Sequence, residues 1–495
     1  MKRHLMSVWA RLVFALAVLT AGLSPLYASA ATVPPALPPS SVTPPAGLGW
    51  DYGAWPFDVA SVSGKASVRV NVRSWVSPTI WTAPRATCHY HVDPVNGSDT
   101  TGTGLGTYDG DWSAAVKSAG KALQLGNADA NCPDAYQVLL RNNNYYARTN
   151  SFSGLAGTIV PTKHLGVFCL GGTNCTMGPF DDLTWAVDGT YTNLYSATLS
   201  NALKVVDRIH PVSFTGPTGL TITRMPEFTL SADPATCNAV SATTYCWVLT
   251  GGKVYVHRGD GVAPTNANTR VYRDAAGFRL DGTSKDVYVQ GVDFEGGAAG
   301  AIAAQVAATT RNLVFVNGSA GYAGGVGRAA NSVAVDYNVG VAAFVDWKAT
   351  SSWVDGLNIH KTDGGSPSYM FCLRCISWWT GGAGQTSANA FTGHENTVSA
   401  ILASDGSWGH GGTCRYINFS RVWFWRTACH DDQGDGSIKG EFMAGDNTWM
   451  WLDETTAAGT GISVNPGSGT IIYKRNHRTL SGTESGGGTA TSFTN

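Results

Sequence analysis

From residue 164 onward the chain repeats one arrangement of apolar and polar positions. Short apolar runs, "HLGVFCLGG", "KDVYVQGVDFEGG", "RNLVFVNGSAGYAGG", "SSWVDGLNIH", "RYINFSRVWFW" and "NTWMWLDETTAAGTG", alternate with glycine- and asparagine-rich turns and no helix-period segment. The runs opening at Lys285 and Arg311 are followed by others at similar or longer steps. Strands and turns recurring every roughly 20–30 residues describe a solenoid, whose core grows along one axis. A sandwich would carry a hairpin signal between paired runs, yet the Asn-Gly pairs at Asn96 and Asn317 do not recur that way. Within "RVWFWR" the alternation places Trp423 and Trp425 on one side and Phe424 on the other.

The N-terminal third reads differently. "ASVRVNVRSWV" predicts a strand with Val68, Val70 and Val72 on one face. "DWSAAVKSAGKALQLGN" predicts the one convincing helix, with Trp112, Val116, Ala119 and Leu123 at helical spacing and Gly126-Asn127 as its stop. A strand, "DAYQVLLRNNNYY", follows. The succession "VDPVNGSDTTGTG", amphipathic helix, "QVLLRNNNYY" resembles the opening of secreted right-handed parallel β-helix proteins of the pectate-lyase-like superfamily, in which a short helix caps the open end of the core. That resemblance implies an all-β right-handed parallel β-helix with an N-terminal capping helix. It also implies a protein that cuts or binds acidic and neutral polysaccharides.

Composition adds the compartment. Lys2 and Arg3, the apolar "LVFALAVLTAGL" and the small Ala28-Ser29-Ala30 form a secretory signal, which predicts a secreted or periplasmic protein. No later apolar stretch approaches the length of a membrane span. The expected layout is a signal peptide at 1–30, a proline-rich linker at 31–49, N-terminal strands at 50–110, the β-helix at 111–475 and a flexible tail at 476–495. Ten cysteines suit an oxidising compartment. Cys169 with Cys175, Cys237 with Cys246, Cys414 with Cys429 and Cys88 with Cys132 are candidate staples, while Cys372-x-x-Cys375 lacks the second pair that zinc needs. A net charge of −1 argues against nucleic acid as a partner.

Ionisable residues concentrate between Asp336 and Asp453, together with nine of the seventeen tryptophans. Indole faces match the C–H faces of sugars while nearby polar groups take the hydroxyls. Candidate catalytic residues are His360, Asp363, Asp405, His410, His430, Asp431 and Asp432. Trp353, Trp378, Trp379, Trp408, His394, Glu395 and Lys361 are candidate substrate contacts. Asp431, Asp432 and Asp435 form a candidate calcium set, although "DDQGDGSIKGEF" is no EF-hand, since Glu441 comes one residue early. Spacings near 25 residues predict Asp336 over His360, Asp405 over His430, Ser407 over Asp432 and His410 over Asp435 on adjacent coils.

Lys361-Thr362-Asp363, Gly409-His410-Gly411, Asp431-Asp432 and Ser437-Ile438-Lys439 are similar to the Asn-Thr-Asp, Gly-His-Gly, Asp-Asp and Arg-Ile-Lys motifs of polygalacturonase-like hydrolases. In that family the Asp pair precedes the Gly-His-Gly. Here the order is reversed and the Asn and Arg are replaced, so those roles do not carry over. The expected activity is cleavage of an extracellular polysaccharide by hydrolysis or β-elimination. Non-catalytic glycan binding and a purely structural solenoid are the alternatives.

Overall fold

The computed structural model describes residues 43–52, 55–62, 65–142, 144–152, 160–305, 311–325, 327–336, 340–361, 366–382, 385, 387–433, 440–459, 462–484 and 489–492. The expected signal peptide and residues 31–42 lie outside that set, as do Asp363 and Asp435.

Strand formation follows the alternation. In the long parallel sheet, Val167, Val289, Phe315, Phe344, Cys372, Ile401, Phe424 and Leu452 are successive partners across strands. All eight join one buried apolar cluster. The residues beside them point the other way, so Phe424 is inside while Trp423 and Trp425 are outside, as the alternation predicts. Among the described residues the long sheet has 20 strands and a second parallel sheet has 9. The chain visits the long sheet twice and the 9-stranded sheet once in each repeat. Ser368–Leu373, Ile376–Trp378 and Phe391–His394 make one such repeat, and Thr397–Leu402, Asp405–Ser407 and Cys414–Tyr416 make the next.

The bend between the two long-sheet strands is a single left-handed residue. Arg374 (φ 53°), Ala403 (φ 48°), Arg426 (φ 48°) and Glu454 (φ 50°) occupy it on successive repeats. Side chains there point outward, and Arg374 meets Asp346 while Arg426 meets Glu454.

Four features differ from the sequence reading. The helix runs Ala119–Ala128 and starts well after Trp112, because the Ser118 side chain accepts from Lys121 N and caps it there. Val72 belongs to the short helical turn Val72–Trp75, so the expected strand ends at Val70. Part of the expected tail is strand. Arg478–Thr479, Thr483–Glu484 and Thr489–Ser492 add further strands to the two sheets. Finally, the stacking is interrupted. His164–Leu170 pairs with Val287–Gln290, and the intervening chain builds antiparallel sheets, including Cys246–Thr250 with Lys253–His257 and Val212–Thr215 with Thr221–Arg224.

Five disulfides form among the described residues, the four candidate staples and Cys372–Cys375. They fit an exported protein, and no described helix is long and apolar enough to cross a membrane. Cys414 and Cys429 are fully buried and join the 9-stranded sheet to the long one over a separation of 15 residues. Replacing both by serine is expected to cost about 3 kcal/mol, the value for a loop of that size. A urea midpoint equal to that of the native chain would show that the strand register alone holds the two sheets together.

Candidate functional site

Two outer surfaces of the solenoid-like body are roofed by apolar chain. Along the first long-sheet strands, Tyr288, Phe371, Trp423 and Trp451 pack with Leu48, Trp75 and Ile80 of the N-terminal segment. The end of the expected linker is therefore part of the fold, with Leu48 fully buried. On the second long-sheet strands, the hairpin Val212–Thr215/Thr221–Arg224 lays Phe214 and Ile222 against Trp378, Trp379 and Trp408. Trp378 is fully buried and Trp379 is 5% exposed. These two indoles therefore hold the hairpin down and do not present a face to sugar, which corrects their expected role. Trp408 is half-buried with its ring 4.5 Å from Phe214.

The outer face of the 9-stranded sheet is polar. Asp336, His360 and His394 are in register on three adjacent strands, as are Asn358, Thr392 and Arg415. The rings of His360 and His394 stack with centroids 4.3 Å apart. His394 Nε2 lies 2.9 Å from Thr392 Oγ1. Burial, then the neighbouring His360 and Arg415 charges, push the His394 pKa down to about 3, so the ring is neutral at neutral pH. Glu395, on the bend after the strand, places Oε2 3.2 Å from His360 Nδ1, an ion-pair distance off the line of a hydrogen bond. Both side chains are about one-third exposed, at 29% and 33%. A carboxylate at Nδ1 favours a proton there and leaves Nε2 as the basic nitrogen.

The ends of these strands carry more ionisable groups. Asp355 is buried and its pKa is pushed up to about 6 by that burial, against the backbone N–H of Asn389 and the side-chain N–H of Asn358 that it accepts. Arg415 Nη1 donates to Ser387 Oγ at 2.6 Å, and burial lowers its pKa. Lys361 is buried and shifted down for the same reason. Asp336 is raised by burial, which the charge of His360 opposes. Asn358 Oδ1 is buried without a hydrogen-bond partner among the described residues.

A second cluster is internal. His430 is fully buried, with Nε2 2.8 Å from Asp405 Oδ1 and Nδ1 2.7 Å from Asp431 Oδ2. Trp378 Nε1 donates to the same Asp405 oxygen at 2.6 Å, and Thr218 of the hairpin turn donates to Oδ2 at 2.9 Å. Burial alone would lower the His430 pKa, but the hydrogen bonds to Asp405 and Asp431 prevail and raise it to about 9. The result is an imidazolium clamped between two carboxylates, which seats the hairpin. A Cβ on Gly216 would lie 2.7 Å from the His430 ring, so only glycine lets the turn approach.

The stacking predictions divide. Asp336 does sit over His360. Asp405 sits over Ala428, and Ser407 over His430, because this coil is shorter than the spacing assumed. His430 reaches Asp405 diagonally. Asp432 turns away from Asp431: its oxygens accept from Gly440 N at 2.7 Å and Gly412 N at 3.5 Å. With Asp431 taken by His430, the two carboxylates of the candidate calcium set serve different partners, and no group of three metal-ligating side chains converges among the described residues. His410 is on the loop before Cys414–Tyr416, with its ring beside Gly381. Trp353 lies against Gly382 and Gly324.

Sequence reasoning passed over Asp355 and Arg415, and met Glu441 only as a misplaced EF-hand ligand. Glu441 is 1% exposed, receives Asp432 N and Thr413 Oγ1, and is pushed up to about 8 by burial. The cue for Arg415 was its place beside Cys414, whose inward orientation turns the arginine out.

No family model and no curated protein matches the sequence. Among solved structures, the chain is similar to XylC in complex with xylose at 9% identity and a TM-score of 0.42, covering 79% of this chain and 70% of that one. It is also similar to a glycoside hydrolase at 8% identity and a TM-score of 0.41, covering 82% and 96%. At that level, fold and chemistry have to be argued from the chain itself.

Proposed function

We propose that the chain is a right-handed parallel β-helix protein, exported, that cleaves an extracellular glycan on the outer face of its 9-stranded sheet. The observation that carries this reading is His360 paired with Glu395 on a polar strand face that also bears Arg415. A positioned imidazole with one free nitrogen is a general base, and a guanidinium is a partner for a carboxylate. The combination suits β-elimination on a uronate polymer. His360 Nε2 takes the proton next to the sugar carboxyl and Arg415 stabilises the charge that develops there; the C4–O bond then breaks as the C4=C5 double bond forms, and the departing oxygen takes a proton from solvent. Hydrolysis is the second reading, with Asp355, raised by burial just before the strand Leu357–His360, as the carboxyl that would have to reach the leaving oxygen.

Incubation with a panel of uronate and neutral polysaccharides separates these. Ultraviolet absorbance of an unsaturated uronate marks elimination, and new reducing ends without it mark hydrolysis. Binding with neither product would make this a glycan-binding protein instead. Arg415→Ala is expected to lower kcat/KM on a uronate polymer by at least about tenfold, a charge-assisted contact being worth roughly 1.5–3 kcal/mol. Equal kcat/KM for the variant and the native chain would remove Arg415 from the site.

A further inference from the structure

Away from that face, the inserted segment meets the first strands of the long sheet around a cavity of about 610 Å³. Tyr145 is on its wall and is 55% exposed. The guanidinium carbons of Arg208 and Arg270 lie 4.4 and 4.8 Å from the centre of its ring. Arg270 is also 4.1 Å from the Phe180 ring centre and is paired with Glu295. Arg208 differs. It donates to the Asn266 carbonyl and makes no ion pair among the described residues. Burial and the adjacent Arg270 charge lower its pKa.

The acidic residues on the same wall do not neutralise Arg208. Asp181 is held by Arg148 at 3.0 Å and Arg273 at 2.7 Å. Asp182 is at the exposed rim. The cavity therefore offers a guanidinium that makes no ion pair of its own, although the Glu295 charge acts on it, together with an exposed aromatic ring and the Asn150 side chain, the Asn144 amide nitrogen being held by the Arg141 and Asn142 carbonyls. A planar guanidinium fork suits a carboxylate, aromatic carbon suits the C–H face of a pyranose, and amides suit its hydroxyls.

We propose that this cavity is a binding site for an acidic sugar, with the carboxylate on Arg208 and the ring against Tyr145. The site is independent of the chemistry assigned to His360. Its ligand need not be cleaved, so a monosaccharide reads binding alone. Calorimetric titration of the full chain with D-galacturonate, D-galactose and inorganic phosphate tests it. Galacturonate is expected to bind, with galactose at least about tenfold weaker and equimolar phosphate unable to displace it. Arg208→Gln and Tyr145→Ala are each expected to weaken galacturonate at least about tenfold. Circular dichroism checks each variant, and the exposed Tyr145 decides the matter if Arg208→Gln fails to fold. Native affinity in a folded Tyr145→Ala or Arg208→Gln chain would overturn the proposal. Displacement by phosphate would do the same.

Discussion

Replacing His360 with alanine is expected to reduce glycan cleavage by at least about a hundredfold, because a positioned general base contributes roughly 10²–10⁴-fold. Stability is expected to change little, since the imidazole is 29% exposed and lies outside the apolar core. Glu395→Gln is expected to cost about tenfold in kcat, with a smaller change in KM, because it removes the carboxylate charge beside His360 Nδ1. Two measurements decide the assignment: initial rates on the best substrate, and the thermal midpoint. A folded His360→Ala chain with native turnover would end it. Loss of activity accompanied by an equal loss of midpoint would mark His360 as a structural residue.

The second large effect concerns stability and pH. His430 has its pKa raised to about 9 in the fold, against 6.5 for an ordinary imidazole. A raised pKa stabilises the fold fully below 6.5, and that contribution fades as pH climbs from about 6.5 through about 9. Its full size is roughly 3 kcal/mol. Denaturant midpoints are therefore expected to fall between pH 6.5 and pH 9.5. Asp405→Asn is expected to destabilise the chain by about 3–5 kcal/mol at pH 6, because it leaves a buried cation with only the partly exposed Asp431. The same variant should show a flatter pH dependence, since the partner that raised the pKa has gone. A native midpoint that stays level across this window would mean the imidazole is neutral inside the fold.

Local alternation made much of the body legible. Trp423, Phe424 and Trp425 fell on the sides assigned to them because a strand offers only two. The roles of the tryptophans were less legible, since exposure depends on what covers a face. The N-terminal segment covers Trp423 and Trp425, and a hairpin from a distant insertion covers Trp378. That insertion escaped notice because its strands are as short and as rich in turns as those around it. Register escaped for a different reason. Coils here vary in length, so equal spacing placed Asp405 over His430 when the backbone sets it over Ala428. The contact forms nonetheless, because an imidazole spans the diagonal. His360 and Asp336 were aligned correctly, their coil having the assumed length.

The insertion has a consequence for synthesis. His164–Leu170 has one neighbour, Ala135–Arg141, that precedes it in the chain and one, Val287–Gln290, that follows much later. As the chain emerges from its N-terminus, the open amides and carbonyls of 164–170 therefore wait while the whole insertion is made. An unpaired edge of this kind invites another chain to add to it. This edge is closed only when Val287–Gln290 arrives, and the open edge then passes to that strand until Leu313–Gly321 is made. Deleting the insertion would bring the two strands together sooner, and would remove the roof over Trp378 with it.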